Sequence, residues 1–110
     1  MRVRLGGGGQ CAVEAPLGTQ AVGARVRVAV RSGDIMLATE EPRGLSARNL
    51  IGGHITRVEP RAEQTLVHVE AGVIWAAGVT RRSVNEMGLE VGRPVWLAFK
   101  TYAVRVFEED

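Results

Sequence analysis

Two short segments of this 110-residue chain concentrate hydrogen-bond donors. Ser46-Ala47-Arg48-Asn49 follows the turn-like Pro42-Arg43-Gly44 and opens a strand-like stretch, and Lys100-Thr101 closes another. Lys100 is the single lysine among fourteen Lys and Arg residues. Hydroxyls, cations and the backbone N–H groups of strand ends all donate, and none of them needs to act as a nucleophile. Such a set suits a tetrahedral oxyanion, whose oxygens only accept; charged donors supply the strong bonds and backbone nests add neutral ones. The same residue types also shape turns and solvated strand ends in any fold, so the donors alone leave both possibilities open.

Other chemistries find less support. His54 and His68 lie fourteen residues apart, and no Cys or carboxylate cluster stands at ligand spacing beside them, which disfavours a cation site. Trp75 and Trp96 sit in apolar rather than basic surroundings, so packing is favoured over base stacking. Cys11 is the lone cysteine; it excludes an internal disulfide and reads as a small buried hydrophobe. The formal charge is +2 without any block of like charges, which disfavours bulk attraction to nucleic acid or membrane. No leader is apparent, and no apolar run approaches the ~18 residues of a membrane span. A cytoplasmic location without membrane insertion is therefore expected.

The elements that must position these residues are mostly short strands. Val-rich alternation predicts strands over residues 1–5, 10–15, 25–30, 34–38, 49–58, 65–70, 74–79, 94–100 and 104–108. The four glycines Gly6–Gly9 read as a hairpin loop. One short helix is expected, with a Ser83-Val84-Asn85-Glu86 capping box or an earlier cap at Thr80, and Gly88 as a left-handed C-terminal cap. Many short strands and a helix of two turns at most predict an all-β, OB-like small barrel.

The chain also repeats itself. Gly23–Ser32 aligns with Gly92–Thr101, so that Arg31-Ser32 answers Lys100-Thr101, and Ile35 and Leu37 answer Val104 and Val106. Upstream, Val3-Arg4-Leu5 through Cys11-Ala12-Val13 aligns with Val67-His68-Val69 through Trp75-Ala76-Ala77. The first copy replaces the helix by the Leu17–Val22 link and has no counterpart of residues 45–64. The expected organisation is a half repeat over residues 1–40 and a complete domain over residues 41–110. Half a barrel leaves ladder groups unpaired, so the first half must pair with the second repeat or with another copy. A homo-oligomer, most simply a two-fold dimer, is the default expectation.

Ser46–Asn49, continued by Leu50-Ile51-Gly52-Gly53-His54-Ile55, resembles the opening of a Mop (molybdenum-pterin-binding) TOBE domain. Ala77–Leu89 resembles that family's strand-to-helix unit, and Val91–Thr101 resembles its closing strand. Arg31–Ala38 placed ahead of Ser46–Asn49 resembles the C-terminal regulatory region of molybdate-importer ATPases, although no Walker A motif is present. The resemblance implies an OB-like barrel that binds molybdate or tungstate between subunits or repeats. It is compatible with a transporter tail and with a free-standing relative similar to the molbindins.

Carried over by position, the resemblance implies Ser46, Arg48 and the backbone of Ala47 on one side of the oxyanion. Lys100 and Thr101 stand on the other side, from a second subunit, with Thr80 a lesser candidate. Arg31 and Ser32 form a possible second half-site. Tyr102 departs from the small residue common in the family at that place, and its ring would shield the site or crowd it. The implied role is sensing or storage of the oxyanion without turnover, so no enzyme is expected, in company with an ABC transporter ATPase and its membrane subunits. The alternatives are a TOBE module that only dimerises such an ATPase, and an OB domain that binds nucleic acid.

Overall fold

The structure is a computed structural model and describes residues 1–6, 11–18 and 20–108. Nine strands and one helix are present among them: β1 (Arg2–Leu5), β2 (Cys11–Glu14), β3 (Val26–Ala29), β4 (Met36–Ala38), β5 (Asn49–Pro60), β6 (Thr65–Ala71), β7 (Val73–Val79), α1 (Arg81–Met87), β8 (Pro94–Phe99) and β9 (Arg105–Glu108). The expected hairpin loop of four glycines lies mostly outside the described residues. Alternation decides which face each strand buries. In β6, Thr65, Val67, Val69 and Ala71 are buried while the residues between them are only partly so. Five strands form one curled sheet in the order β4-β8-β5-β6-β7. The core between its concave face and the β1–β2 hairpin is built on Val13, Ile55, Val67, Val69, Val95, Leu97 and Phe99. Trp75 joins it, its ring centroid 5.2 Å from that of Phe99, and its indole N–H donates to the Ala71 carbonyl at 3.3 Å. The architecture is the expected OB-like one with a single short helix.

The internal repeat is visible in strand register. Val3 faces Val13 and Leu5 faces Cys11, as Val67 faces Ala77 and Val69 faces Trp75. The later strands of the two copies are exchanged. β4 pairs with β8 through Met36–Ala98, Leu37–Leu97 and Ala38–Trp96. β9 pairs with β3 through the matching Arg105–Ala29, Val106–Val28 and Phe107–Arg27. The two aligned stretches therefore pair crosswise, β3 with β9 and β4 with β8, within one chain.

Three local details depart from expectation. Asp34 belongs to a 3-10 turn (Ser32–Asp34) rather than a strand, because its N–H bonds back to the Arg31 carbonyl at 2.9 Å. β5 runs to Pro60, two residues further than predicted. The Ser83–Glu86 capping box is not formed. Thr80 is the N-cap, its hydroxyl accepting from the Ser83 N–H at 3.0 Å, while Glu86 pairs with Arg82 at 2.7 Å. Gly88 takes the left-handed cap as expected, with φ 63°.

Gly53 in β5 holds the closest strand crossing. A Cβ there would run into the Glu70 carbonyl oxygen and the Ala71 side chain. Because backbone is what it would strike, Gly53→Ala is expected to cost about 1–3 kcal/mol in a denaturant titration. A loss below ~0.5 kcal/mol would mean that the two strands part there without penalty.

Candidate functional site

Ladder register brings the two donor segments together. Asn49 at the start of β5 faces Phe99 at the end of β8. Ser46–Arg48 and Lys100–Thr101 therefore leave the same end of the same ladder. Ser46, Arg48 and Lys100 are exposed, Thr101 is half-buried, and Ala47 is buried at 5% exposure. Ala47 thus anchors the segment through its methyl group and leaves its neighbours at the surface. Lys100 has extended backbone (φ −78°, ψ 153°) and leads into a 3-10 turn (Thr101–Ala103). Its carbonyl accepts from the Ala103 N–H at 3.0 Å, and that of Thr101 accepts from the Val104 N–H at 3.1 Å.

Asn49 holds this end in place. It is 4% exposed, accepts from the Glu14 N–H at 2.7 Å and donates to the Glu14 carbonyl at 2.9 Å. One side-chain amide thereby substitutes for a ladder rung and ties β2 to β5. In the sequence Asn49 reads as a turn-shaping residue at the start of the strand, and this role is missed because its partner is 35 residues away. The Glu14 carboxylate also faces Arg48, with Nε 3.9 Å from Oε2 and side chains 70% and 39% exposed. So open a pair is worth only ~0.5 kcal/mol, which leaves the guanidinium free to turn toward an anion.

The remaining sequence candidates lie apart. Arg31 and Ser32 open the matching turn, where Arg31 has φ −63° and ψ 139° and Ile35 is buried as Val104 is. Nothing like Ser46–Arg48 continues beside them, and the Ser32 hydroxyl instead accepts from Gln64 Nε2 at 3.3 Å. The Thr80 hydroxyl is engaged at the helix cap, also donating to Ser83 Oγ at 3.0 Å. Tyr102 projects from its turn at 87% exposure.

The TOBE domain model matches residues 45–106, from just before Ser46 to the middle of β9. The chain belongs to the TOBE-domain family. The match contains both donor segments and the ladder joining them. The TOBE chain is 38% identical over 84 residues to the molybdate/tungstate import ATP-binding protein WtpC of Pyrococcus abyssi, covering 76% of the chain and 24% of that protein. It is 39% identical over 82 residues to the molybdenum import ATP-binding protein ModC of Mesorhizobium japonicum, covering 72% and 22%. With ModC of Haemophilus influenzae it shares 33% over 85 residues, covering 76% and 24%. The chain thus spans about a quarter of the curated relatives it matches. A molybdate-bound structure of the cytoplasmic molybdate-binding protein ModG is similar with a TM-score of 0.71 at 25% identity, covering 76% of this chain and 62% of that one.

Elsewhere in the chain, charges and thiol serve the fold. Burial pushes the Cys11 thiol up from its ordinary value, and the Glu70 carboxylate adds to the shift. No group of three or more potential metal ligands is found among the described residues, and no helix is long and apolar enough to cross a membrane. Glu59 in β5 accepts from His68 Nε2 at 3.0 Å and from Arg61 Nη2 at 3.0 Å. The His68 hydrogen bond, helped by Arg57 and Arg61, holds Glu59 below its ordinary 4.5 against a smaller opposing effect of burial. A depressed carboxylate contributes stability above its unfolded value and loses it as pH falls through the folded one. The melting-temperature gap between the parent and Glu59→Gln should therefore be open at pH 7 and close as pH drops below 4.5. A gap independent of pH would show that the charge is immaterial.

Proposed function

We propose that this TOBE domain binds molybdate or tungstate without transforming it, as a sensing or storage module of oxyanion uptake. The observation that supports this is the pairing of Asn49 with Phe99, which makes Ser46, Arg48 and the backbone of Ala47 leave the same ladder end as Lys100 and Thr101. Family membership and the names of the relatives support it. Thr80 remains a lesser candidate, and Arg31-Ser32 a second half-site that would need donors from elsewhere.

A second copy completes the site in this proposal, most simply as a two-fold dimer. Support comes from the convex face of the sheet beside the donors. Met36, Ala98 and Leu50 form one row across β4, β8 and β5, and Ala38, Trp96 and Gly52 form the next. Met36 is 55% and Leu50 39% exposed, and the Trp96 ring lies 3.4 Å from where a Gly52 Cβ would stand. Ala98 between them is only 2% exposed, but the exposed Met36 and Leu50 flanking it suit a subunit contact. The importer ATPases among the relatives support association with an ABC transporter ATPase and its membrane subunits, and the likeness to cytoplasmic ModG supports a cytoplasmic location. A module that only dimerises such an ATPase is the competing function, favoured by that same apolar face.

Oxyanion titration separates the two. Molybdate and tungstate should each raise the melting temperature, since a ligand of the folded state alone stabilises it by mass action, about 2.7 kcal/mol at a hundred times Kd. Sulfate is smaller, and protonated phosphate brings an O–H that needs an acceptor, so both should do less. Equal shifts with all four would remove the specificity, and no shift with any would favour dimerisation alone.

A further inference from the structure

Register gives Glu14 a counterpart in the second copy. Arg2 faces Glu14 next to the Val3–Val13 pair, as Leu66 faces Gly78 next to Val67–Ala77. Glu14 on β2 thus holds the place that Gly78 holds on β7. The space over Gly78 is filled by the neutral Gln64 side chain, which donates to the Ser32 hydroxyl at 3.3 Å. Of the two matching places, the one beside Ser46–Arg48 carries the carboxylate. That carboxylate is also held there. Asn49 takes the N–H and the carbonyl of Glu14, at 2.7 and 2.9 Å, and Asn49 directly follows Arg48 in the chain. Glu14 Oε2 consequently lies 3.9 Å from Arg48 Nε, and among the described residues no other carboxylate pairs with Arg48.

We propose that Glu14 sets the concentration at which the site fills, by competing with the oxyanion for Arg48. The inference rests on the oxyanion reading above and adds a regulator to it. A guanidinium pairs with carboxylates and with tetrahedral oxyanions through the same N–H groups. The edge of Arg48 that meets Glu14 is therefore closed to an ion until the pair opens. The pair is exposed, so opening it costs little. Competition of that strength weakens binding by about two- to five-fold and leaves the site usable. Glu14 touches no ion in this scheme; it is a positioning residue that acts through Arg48. The backbone bonds to Asn49 give the competition a fixed strength, because they keep the carboxylate from drifting out of reach.

The test titrates molybdate calorimetrically into the intact chain, comparing the parent with Glu14→Gln and Glu14→Asp. Both variants should bind about two- to five-fold more tightly. Gln removes the competing charge, and Asp keeps the charge but draws it one methylene away from Arg48. Both retain the backbone bonds to Asn49, so apo Tm should move by less than about 3 °C. In an Arg48→Ala background the gain from Glu14→Gln should vanish. Nitrogen NMR of Arg48 Nε reads the pair without any ligand, and its resonance should shift in Glu14→Gln. Unchanged affinity in Glu14→Gln, beside a parent that binds molybdate, would overturn this inference alone. A parent that binds no molybdate would overturn the oxyanion reading and this inference together. A gain that persists in Arg48→Ala would overturn the competition and leave Glu14 as a charge that repels the ion directly.

Discussion

Asn49→Ala is expected to destabilise the apo protein by about 2–4 kcal/mol, a fall of roughly 10 °C or more in Tm. The substitution removes two hydrogen bonds and leaves the Glu14 N–H and carbonyl without the partner that Asn49 supplies. A buried group stripped of its partner loses its full desolvation cost, whereas a solvated one loses little. Asn49 also directly follows the donors Ser46–Arg48 and anchors them, so oxyanion affinity should fall with it. Urea denaturation of the parent and variant checks the first effect. A loss under ~1 kcal/mol would mean that water replaces the amide and that β2 is held by apolar packing alone.

Lys100→Ala should behave in the opposite way. Lys100 is exposed and caps its turn through the backbone, so apo stability should change by less than ~0.5 kcal/mol. Molybdate affinity should drop by about 1.5–3 kcal/mol, roughly ten- to a hundred-and-fifty-fold, the usual worth of a charged hydrogen bond. Lys100→Arg should fall between, because a planar fork does not reproduce a compact ammonium against a tetrahedral ion. Calorimetric titration alongside thermal melts reads both quantities. Unchanged affinity in Lys100→Ala would remove Lys100 from the site, and an equal loss of apo stability would make it a structural residue.

Contrasting the two substitutions exposes what one chain of residues can announce about itself. Alternating Val, Ala and Leu placed nearly all the strands, because burial of every second residue is a local property of a pleated chain. Gly88 marked the helix end for an equally local reason, the ease of φ > 0 without a Cβ. Cys11 and Trp75 read correctly as core, since apolar neighbours on both sides leave little else. Arg31-Ser32 aligned with Lys100-Thr101 by residue type alone, and both open 3-10 turns. The start of α1 was not legible, because Thr80 and Ser83 are both good caps and only the packed helix decides between them.

Partners were decided by the tertiary structure. Alternation says which face a residue takes, but not which strand lies beside it, so the exchange of β4 and β9 between the two copies is invisible in either copy alone. Asn49 looked like a turn residue until the hairpin 35 residues away came to rest against it. Ser46–Arg48 and Lys100–Thr101 are distant in sequence and leave one ladder end because β5 and β8 share a register. That register is set by Ile55, Leu97 and Phe99 seeking one core, and a slip of one residue would turn every side chain to the wrong face.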